Sequence, residues 1–165
     1  MKLFEGKQIL VTGGCGSIGS HLVNRLLEFN PETIRVFDNS ESCLFEMQSE
    51  LADYSDTMRY LIGDVREPDR VAMAMEDIDV VFHCAALKHV ELNEYNPFET
   101  IQTNVQGTQN VIRGALEAEV ESLVGISTDK ASNPTSVMGA TKLLSERLII
   151  AANTYKGNRD TSFNC

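Results

Sequence analysis

Thr12-Gly13-Gly14-Cys15-Gly16-Ser17-Ile18-Gly19 is the stretch that decides the fold, and it holds four of the chain's eleven glycines. A short apolar run, Gln8 to Thr12, precedes it and reads as a buried strand. After it, Ser17 to Phe29 carries Ile18, Leu22, Leu26 and Phe29 at helical spacing. A glycine turn between strand and helix lets backbone come close to a ligand. The helix then presents its unpaired N–H groups and positive dipole end to that ligand. A diphosphate suits such a place, with Gly13, Gly16, Ser17 and Ile18 around it and Gly19 letting the helix pack close on the strand. A tight turn without a ligand is the competing reading.

Asp38 weighs against that alternative. It closes the next predicted strand, Thr33 to Phe37, 19 residues beyond Gly19. An acid there hydrogen-bonds the ribose 2′-hydroxyl of NAD and repels a 2′-phosphate. No Arg occurs in the following Asn39-Ser40-Glu41, so NAD is favoured over NADP. A strand-end or helix-capping acid is the other role open to Asp38.

The same alternation continues along the chain. Helical patterns are predicted over Glu41–Tyr54 (Leu44, Met47 and Leu51 about a turn apart), Glu67–Met75 with Pro68 in its first turn, and Ser136–Asn153. A long helix from Pro97 to Ala118 carries Ile101, Val105, Thr108, Ile112 and Ala115 on one side. Strands are predicted over Met58–Ile62, Val80–His83, Ser122–Ser127 and Asp160–Cys165. The strands are continuous apolar runs, which indicates a parallel sheet covered on both faces. The fold class is therefore α/β, a doubly wound parallel sheet of the Rossmann type, with no boundary inside residues 1–165.

Composition fits a soluble globular domain: 165 residues, 42% hydrophobic, 23% charged, and a net charge of −10 from 14 basic and 24 acidic residues. The acidic balance and the lack of basic runs argue against nucleic acid or an anionic membrane as partner. No apolar stretch has the length of a signal or a span, so no membrane segment is expected. Cys15, Cys43, Cys84 and Cys165 form no C-x-x-C pair, and neither they nor His21, His83 and His89 have metal-ligand spacing. No metal is expected, and a reducing cytoplasm is the plain reading. His83 reads as a satisfied core histidine and His21 as a packing residue.

The loop can also be read as Thr12-Gly13-x-x-Gly16-x-x-Gly19, which resembles the extended short-chain dehydrogenase/reductase family. Gly63-Asp64-Val65-Arg66 resembles its adenine-contacting turn, and His83-Cys84-Ala85-Ala86 its fourth-strand segment beside the cofactor. Thr103-Asn104-Val105-x-Gly107-Thr108 resembles a helix signature in which Asn104 holds backbone. Ala85 to Val90, Glu94 to Pro97, Ser127 to Lys130 and Met138 to Lys142 are similar to the polysaccharide-biosynthesis branch. That branch contains UDP-N-acetylglucosamine 4,6-dehydratases and related nucleotide-sugar epimerases.

The resemblance implies an NAD-dependent nucleotide-sugar dehydratase, with Asp64, Val65, Ala85, Ala86 and Lys142 contacting the cofactor and Lys88 the UDP-sugar. It implies Lys130 as the base for C5 and Asp129 as the acid for the 6-hydroxyl, beside Thr128. A surface ion pair is the alternative for Asp129 and Lys130, and a surface lysine for Lys88. In the wider family the Met138 position holds Tyr, the acceptor of the 4-hydroxyl proton. A thioether does not titrate, so Met138 is either a branch variant or core filler, and Asp129 or a water on Thr128 is expected to take that proton. A 4-epimerase and a non-catalytic dinucleotide-binding module remain as alternatives. The branch also implies a homo-oligomer and a C-terminal substrate domain beyond Cys165. Weak or absent turnover is expected of these 165 residues alone.

Overall fold

A computed structural model describes residues 3–165. Six strands form one parallel sheet: β1 (Gln8–Thr12), β2 (Thr33–Asp38), β3 (Met58–Ile62), β4 (Val80–His83), β5 (Ser122–Gly125) and β6 (Ser162–Asn164). Their order is β3-β2-β1-β4-β5-β6. The chain thus winds outward one way from β1 and then the other. In register, Thr12 pairs with both Phe37 and His83, so the carboxyl ends of β1, β2 and β4 lie side by side. The predicted doubly wound sheet is what the structure shows.

Alternate residues of β1 feed opposite faces. Leu10 joins a core with Phe37, Val81, Leu123 and Phe163, while Ile9 and Val11 join a second with Val23, Leu26 and Ile34. Leu10 is fully buried. Leu10→Ala is expected to cost about 2–5 kcal/mol, seen as a lower urea midpoint at an unchanged slope.

The helices are α1 (Ser17–Leu27), α2 (Glu41–Glu50), α3 (Pro68–Met75), α4 (Val90–Tyr95), α5 (Pro97–Ile101), α6 (Gly107–Glu117) and α7 (Val137–Tyr155). Two differ from the sequence reading in ways that matter. The inward face of α1 is Gly19, Val23, Leu26 and Leu27, while Ile18 is 58% exposed. Gly19 packs on the Gly13–Gly14 backbone of the loop, and this turns Ile18 outward to the cleft. Phe29 lies beyond the helix end, where it stacks edge-on against Phe4.

The long helix predicted from Pro97 to Ala118 is divided. Between α5 and α6, residues Gln102–Gln106 form a π turn. The wider turn inserts a residue into the helical period, so Ile101 before it is half exposed while Thr108, Ile112 and Ala115 after it are buried. Helix α4 was not predicted; its six residues are too few to show a period. A 3₁₀ turn, Ala52–Tyr54, ends the α2 region.

Candidate active site

An open cleft of about 370 Å³ lies over the carboxyl ends of β1, β2 and β4. The strand order reverses between β1 and β4, and open α/β sheets bind ligands at such a switch point. Gly13, Gly16, Ser17, Ile18, Gly19, Asp38, Asp64, Val65, Ala85, Ala86 and Lys88 all line the cleft. Cys15, Asn39, Ser40, Cys43 and Thr103 line it too, and the sequence reading gave none of them a binding role. Only the fold makes Cys43 and Thr103 neighbours of the glycine loop.

The loop is held by backbone. Gly13 has φ +65° and donates its N–H to Phe37 O at 2.8 Å, and Gly16 N–H donates to Gly13 O at 3.1 Å. A Cβ on Gly13 would stand 2.6 Å from Ala85 backbone, and one on Gly19 would stand 2.3 Å from Gly13 O. Gly16 is the N-cap of α1, and no side chain caps that terminus. Its first-turn amides have no intrahelical acceptors, so they serve whatever enters the cleft.

Asp38 spans the cleft floor. One carboxylate oxygen accepts from Cys15 N–H at 3.0 Å and the other from Ser40 N–H at 3.0 Å. Ser40, not Asp38, is the side-chain cap of α2. Burial pushes the Asp64 carboxyl up, but Arg66 and Asn39 outweigh it and hold it below its ordinary value. Arg66 also reaches Glu99 at 2.8 Å, tying this turn to α5. Lys88 Nζ donates to Ser17 Oγ at 3.3 Å, which sets its ammonium at the glycine loop.

A second group follows β5. Thr128 Oγ1 donates to Asp129 Oδ1 at 3.0 Å and accepts from Lys130 N–H at 3.4 Å, capping the 3₁₀ turn Asp129–Ala131. The Asp129 and Lys130 side chains are 89% and 54% exposed, with Nζ 3.6 Å from the carboxylate. The Thr128 hydroxyl, then Lys130, hold the Asp129 carboxyl low. In the first turn of α7, Met138 is buried in the core. Lys142 Nζ donates to Ile126 O at 2.6 Å, and its burial pulls the ammonium below the ordinary lysine range. Glu146, on the next turn, accepts from Ser127 Oγ. Thr128, Asp129, Lys130, Met138 and Lys142 do not line the cleft itself; they flank it along the same sheet edge.

Between the two groups lies a buried polar cluster. His83 Nδ1 is 2.7 Å from Thr12 Oγ1, and its Nε2 is 3.0 Å from Thr108 Oγ1. Burial, aided by the Lys142 charge, pushes this imidazole down to about 3, so it is neutral. It is the satisfied core histidine that the sequence suggests. His21, by contrast, is exposed and donates from Nδ1 to Ser17 O at 2.7 Å, so it does not pack. Asn104 holds backbone as expected. Its Oδ1 accepts from Leu87 N–H at 2.8 Å, and its Nδ2 donates to Leu87 O and Thr141 Oγ1, each at 3.0 Å. Among the described residues no cluster of metal-ligating side chains occurs, and no helix is long and apolar enough to cross a membrane.

The sequence profile of the polysaccharide biosynthesis protein family matches residues 9–165. The chain belongs to that family. An uncharacterized membrane protein of Methanocaldococcus jannaschii is 60% identical over 161 residues, 98% of this chain and 48% of the relative. A UDP-N-acetylglucosamine 4,6-dehydratase (inverting) of Campylobacter jejuni is 48% identical over 163 residues, again 98% of this chain and 48% of the relative. Pen from Bacillus thuringiensis superposes with a TM-score of 0.95 at 48% identity, over 97% of this chain and 51% of Pen. A dTDP-glucose 4,6-dehydratase of Streptomyces venezuelae, crystallised with NAD, gives a TM-score of 0.81 at 28% identity, over 93% of this chain and 53% of that one. The chain spans about half the length of the curated relatives it matches.

Proposed function

We propose that the cleft binds NAD and that the chain carries the cofactor-binding and acid–base residues of a UDP-sugar 4,6-dehydratase acting on UDP-N-acetylglucosamine. The observation that carries this reading is one sheet edge bearing both an uncapped glycine loop with Asp38 and, beyond β5, Thr128-Asp129-Lys130. The residues present fit the cofactor. The glycine loop and the amides of α1 would take the diphosphate, with Lys88 beside them. Asp38 would take the adenosine ribose, the Asp64–Val65 turn the adenine, Ala85 and Ala86 the opposite wall, and Lys142 the nicotinamide ribose.

When bound, NAD supplies a reversible hydride acceptor, taking hydride from C4 of the sugar and giving it back at C6. The chain's own residues move the protons. Asp129, held as a carboxylate by Thr128 and Lys130, takes the proton of the 4-hydroxyl, the task Met138 has no atom for. The resulting 4-ketone acidifies C5–H, and Lys130, having first given a proton to solvent, removes that proton. The 6-hydroxyl then leaves as water with the proton stored on Asp129. Lys130 returns its proton to C5 as C6 is reduced. One water is lost, and every proton taken is given back.

Dehydratases and UDP-glucose 4-epimerases both occur among the relatives. Mass spectrometry after stoichiometric incubation with NAD and UDP-N-acetylglucosamine in deuterated water separates the readings. Loss of one water with one deuterium at C5 supports the dehydratase, and Asp129→Asn should abolish it. An unchanged mass with a new isomer would indicate an epimerase, and an unchanged sugar a binding module. The four free cysteines support a reducing, cytoplasmic setting. The exposed Leu92, Tyr95 and Phe98 of α4 and α5 offer apolar surface for homo-oligomer formation.

A further inference from the structure

We propose that His83 is a positioning residue locked as its Nε2–H tautomer, the central link of a one-way hydrogen-bond chain that fixes the Ala85–Leu87 wall of the cleft. Donor counting gives the direction. The carbonyl of Asn104, inside the π turn, only accepts, and Thr108 Oγ1 lies 2.6 Å from it. The single Thr108 hydroxyl proton is therefore committed to that carbonyl, because two bare oxygens at that distance repel. Toward His83, Thr108 is left as an acceptor only, so the 3.0 Å contact needs a proton on Nε2. A neutral ring then has a bare Nδ1, and Thr12 must donate its hydroxyl proton across the 2.7 Å contact. Thr12 Oγ1 is left free to accept from Ala85 N–H, 3.4 Å away.

The chain thus runs from Ala85 N–H through Thr12, His83 and Thr108 to Asn104 O. Asn104 closes the circuit, because its side chain holds both the N–H and the C=O of Leu87, two residues from where the chain began. Ser145 Oγ also lies 2.5 Å from Asn104 O, which ties the circuit to α7 between Lys142 and Glu146. The π turn is what presents the Asn104 carbonyl to two hydroxyls at once. All members are neutral, and the five side chains Thr12, His83, Asn104, Thr108 and Ser145 are each at most 4% exposed. Reversing any one link strands a buried donor or sets two acceptors face to face, so the chain has one arrangement.

The structural claim stands without a ligand, and its consequence for NAD rests on the reading above. Histidine ¹⁵N NMR of the unliganded protein should show His83 Nε2 protonated and Nδ1 bare. An Nδ1–H tautomer or a doubly protonated ring overturns the chain. Thr108→Val removes the hydroxyl and keeps the shape, while Thr108→Ser keeps the hydroxyl. Amide hydrogen exchange at Ala85 and Leu87 should quicken about tenfold in Thr108→Val and stay within about twofold of wild type in Thr108→Ser, as one lost buried hydrogen bond requires. Equal protection in the two variants overturns the positioning role, as does a Thr108→Ser that behaves like Thr108→Val. NAD should bind Thr108→Val about tenfold more weakly than Thr108→Ser. If wild type binds no NAD, the cofactor reading fails, while the tautomer and exchange results still judge the chain.

Discussion

Gly19→Ala is expected to weaken NAD binding at least about hundredfold and to lower the melting temperature. The added methyl has nowhere to go. Its Cβ meets Gly13 O at 2.3 Å, Gly14 Cα at 2.7 Å and Gly13 C at 3.0 Å, all of them backbone. No rotamer relieves a backbone clash, so either α1 lifts off the sheet or the glycine loop is pushed into the cleft. Overpacking of this kind costs about 1–3 kcal/mol and more where the neighbours are rigid, and about 2.8 kcal/mol corresponds to hundredfold in affinity. Gly13→Ala should be comparably damaging, since φ +65° and Ala85 backbone at 2.6 Å both oppose it. Gly16→Ala supplies the contrast. Its Cβ meets only Gly13 O, at 3.3 Å, and a loss of about tenfold or less is expected. Calorimetric titration of the three variants, with melting curves alongside, checks the order. Equal effects at positions 16 and 19 would show that backbone crowding is not what the loop is built around.

Asp38→Ala should turn a preference of about hundredfold for NAD over NADP into one of about tenfold or less. Two unit charges about 4 Å apart repel by about 4 kcal/mol at an effective dielectric constant of about 20, enough to exclude a 2′-phosphate beside this carboxylate. Removing it does more than remove repulsion. The carboxylate accepts from Cys15 N–H and Ser40 N–H, and both amides would then be free to donate to a phosphate. NAD itself should lose about tenfold, through the missing ribose hydrogen bond and a looser link between the glycine loop and α2. Parallel titrations with NAD and NADP read both numbers. A wild type that binds the two equally would remove Asp38 from the adenosine ribose.

What was legible in the sequence was whatever depends on neighbours along the chain. The apolar runs placed β1, β2, β4 and β5 to within two residues, because a strand covered on both faces has no polar alternation to confuse it, while the edge strands β3 and β6 are partly exposed and were placed chiefly by their positions beside helical stretches. Gly13 to Gly19 and Asp38 were found through their places at strand ends, and the structure brings them to one cleft. What was missed depends on contacts between distant segments. The π turn at Gln102–Gln106 is sustained by Asn104, whose partners are Leu87, Thr108, Thr141 and Ser145, and no helical period shows it. The inward face of α1 was misjudged at its start, because Gly19 packs on the Gly13–Gly14 backbone and Ile18 turns to the cleft, while Leu26 faces the core as expected. The contact of Lys88 Nζ with Ser17 Oγ, across 71 residues, likewise gave no signal along the chain. Cys15 and Cys43 gave no signal as a separated pair. Yet Cys43 Sγ lies 3.5 Å from Cys15 O at the cleft, and burial followed by the Cys43 thiol pushes the Cys15 thiol up.

The most direct measurement is an amide NMR titration of this chain with NAD. The glycine-loop reading predicts saturable, one-site shifts that begin at Gly13, Gly16, Ser17 and Gly19 and include Asp38, Asp64 and Ala85 to Lys88, with the far ends of the strands unmoved. NAD at saturating concentration that leaves those resonances in place, or that moves only residues outside the cleft, would contradict it.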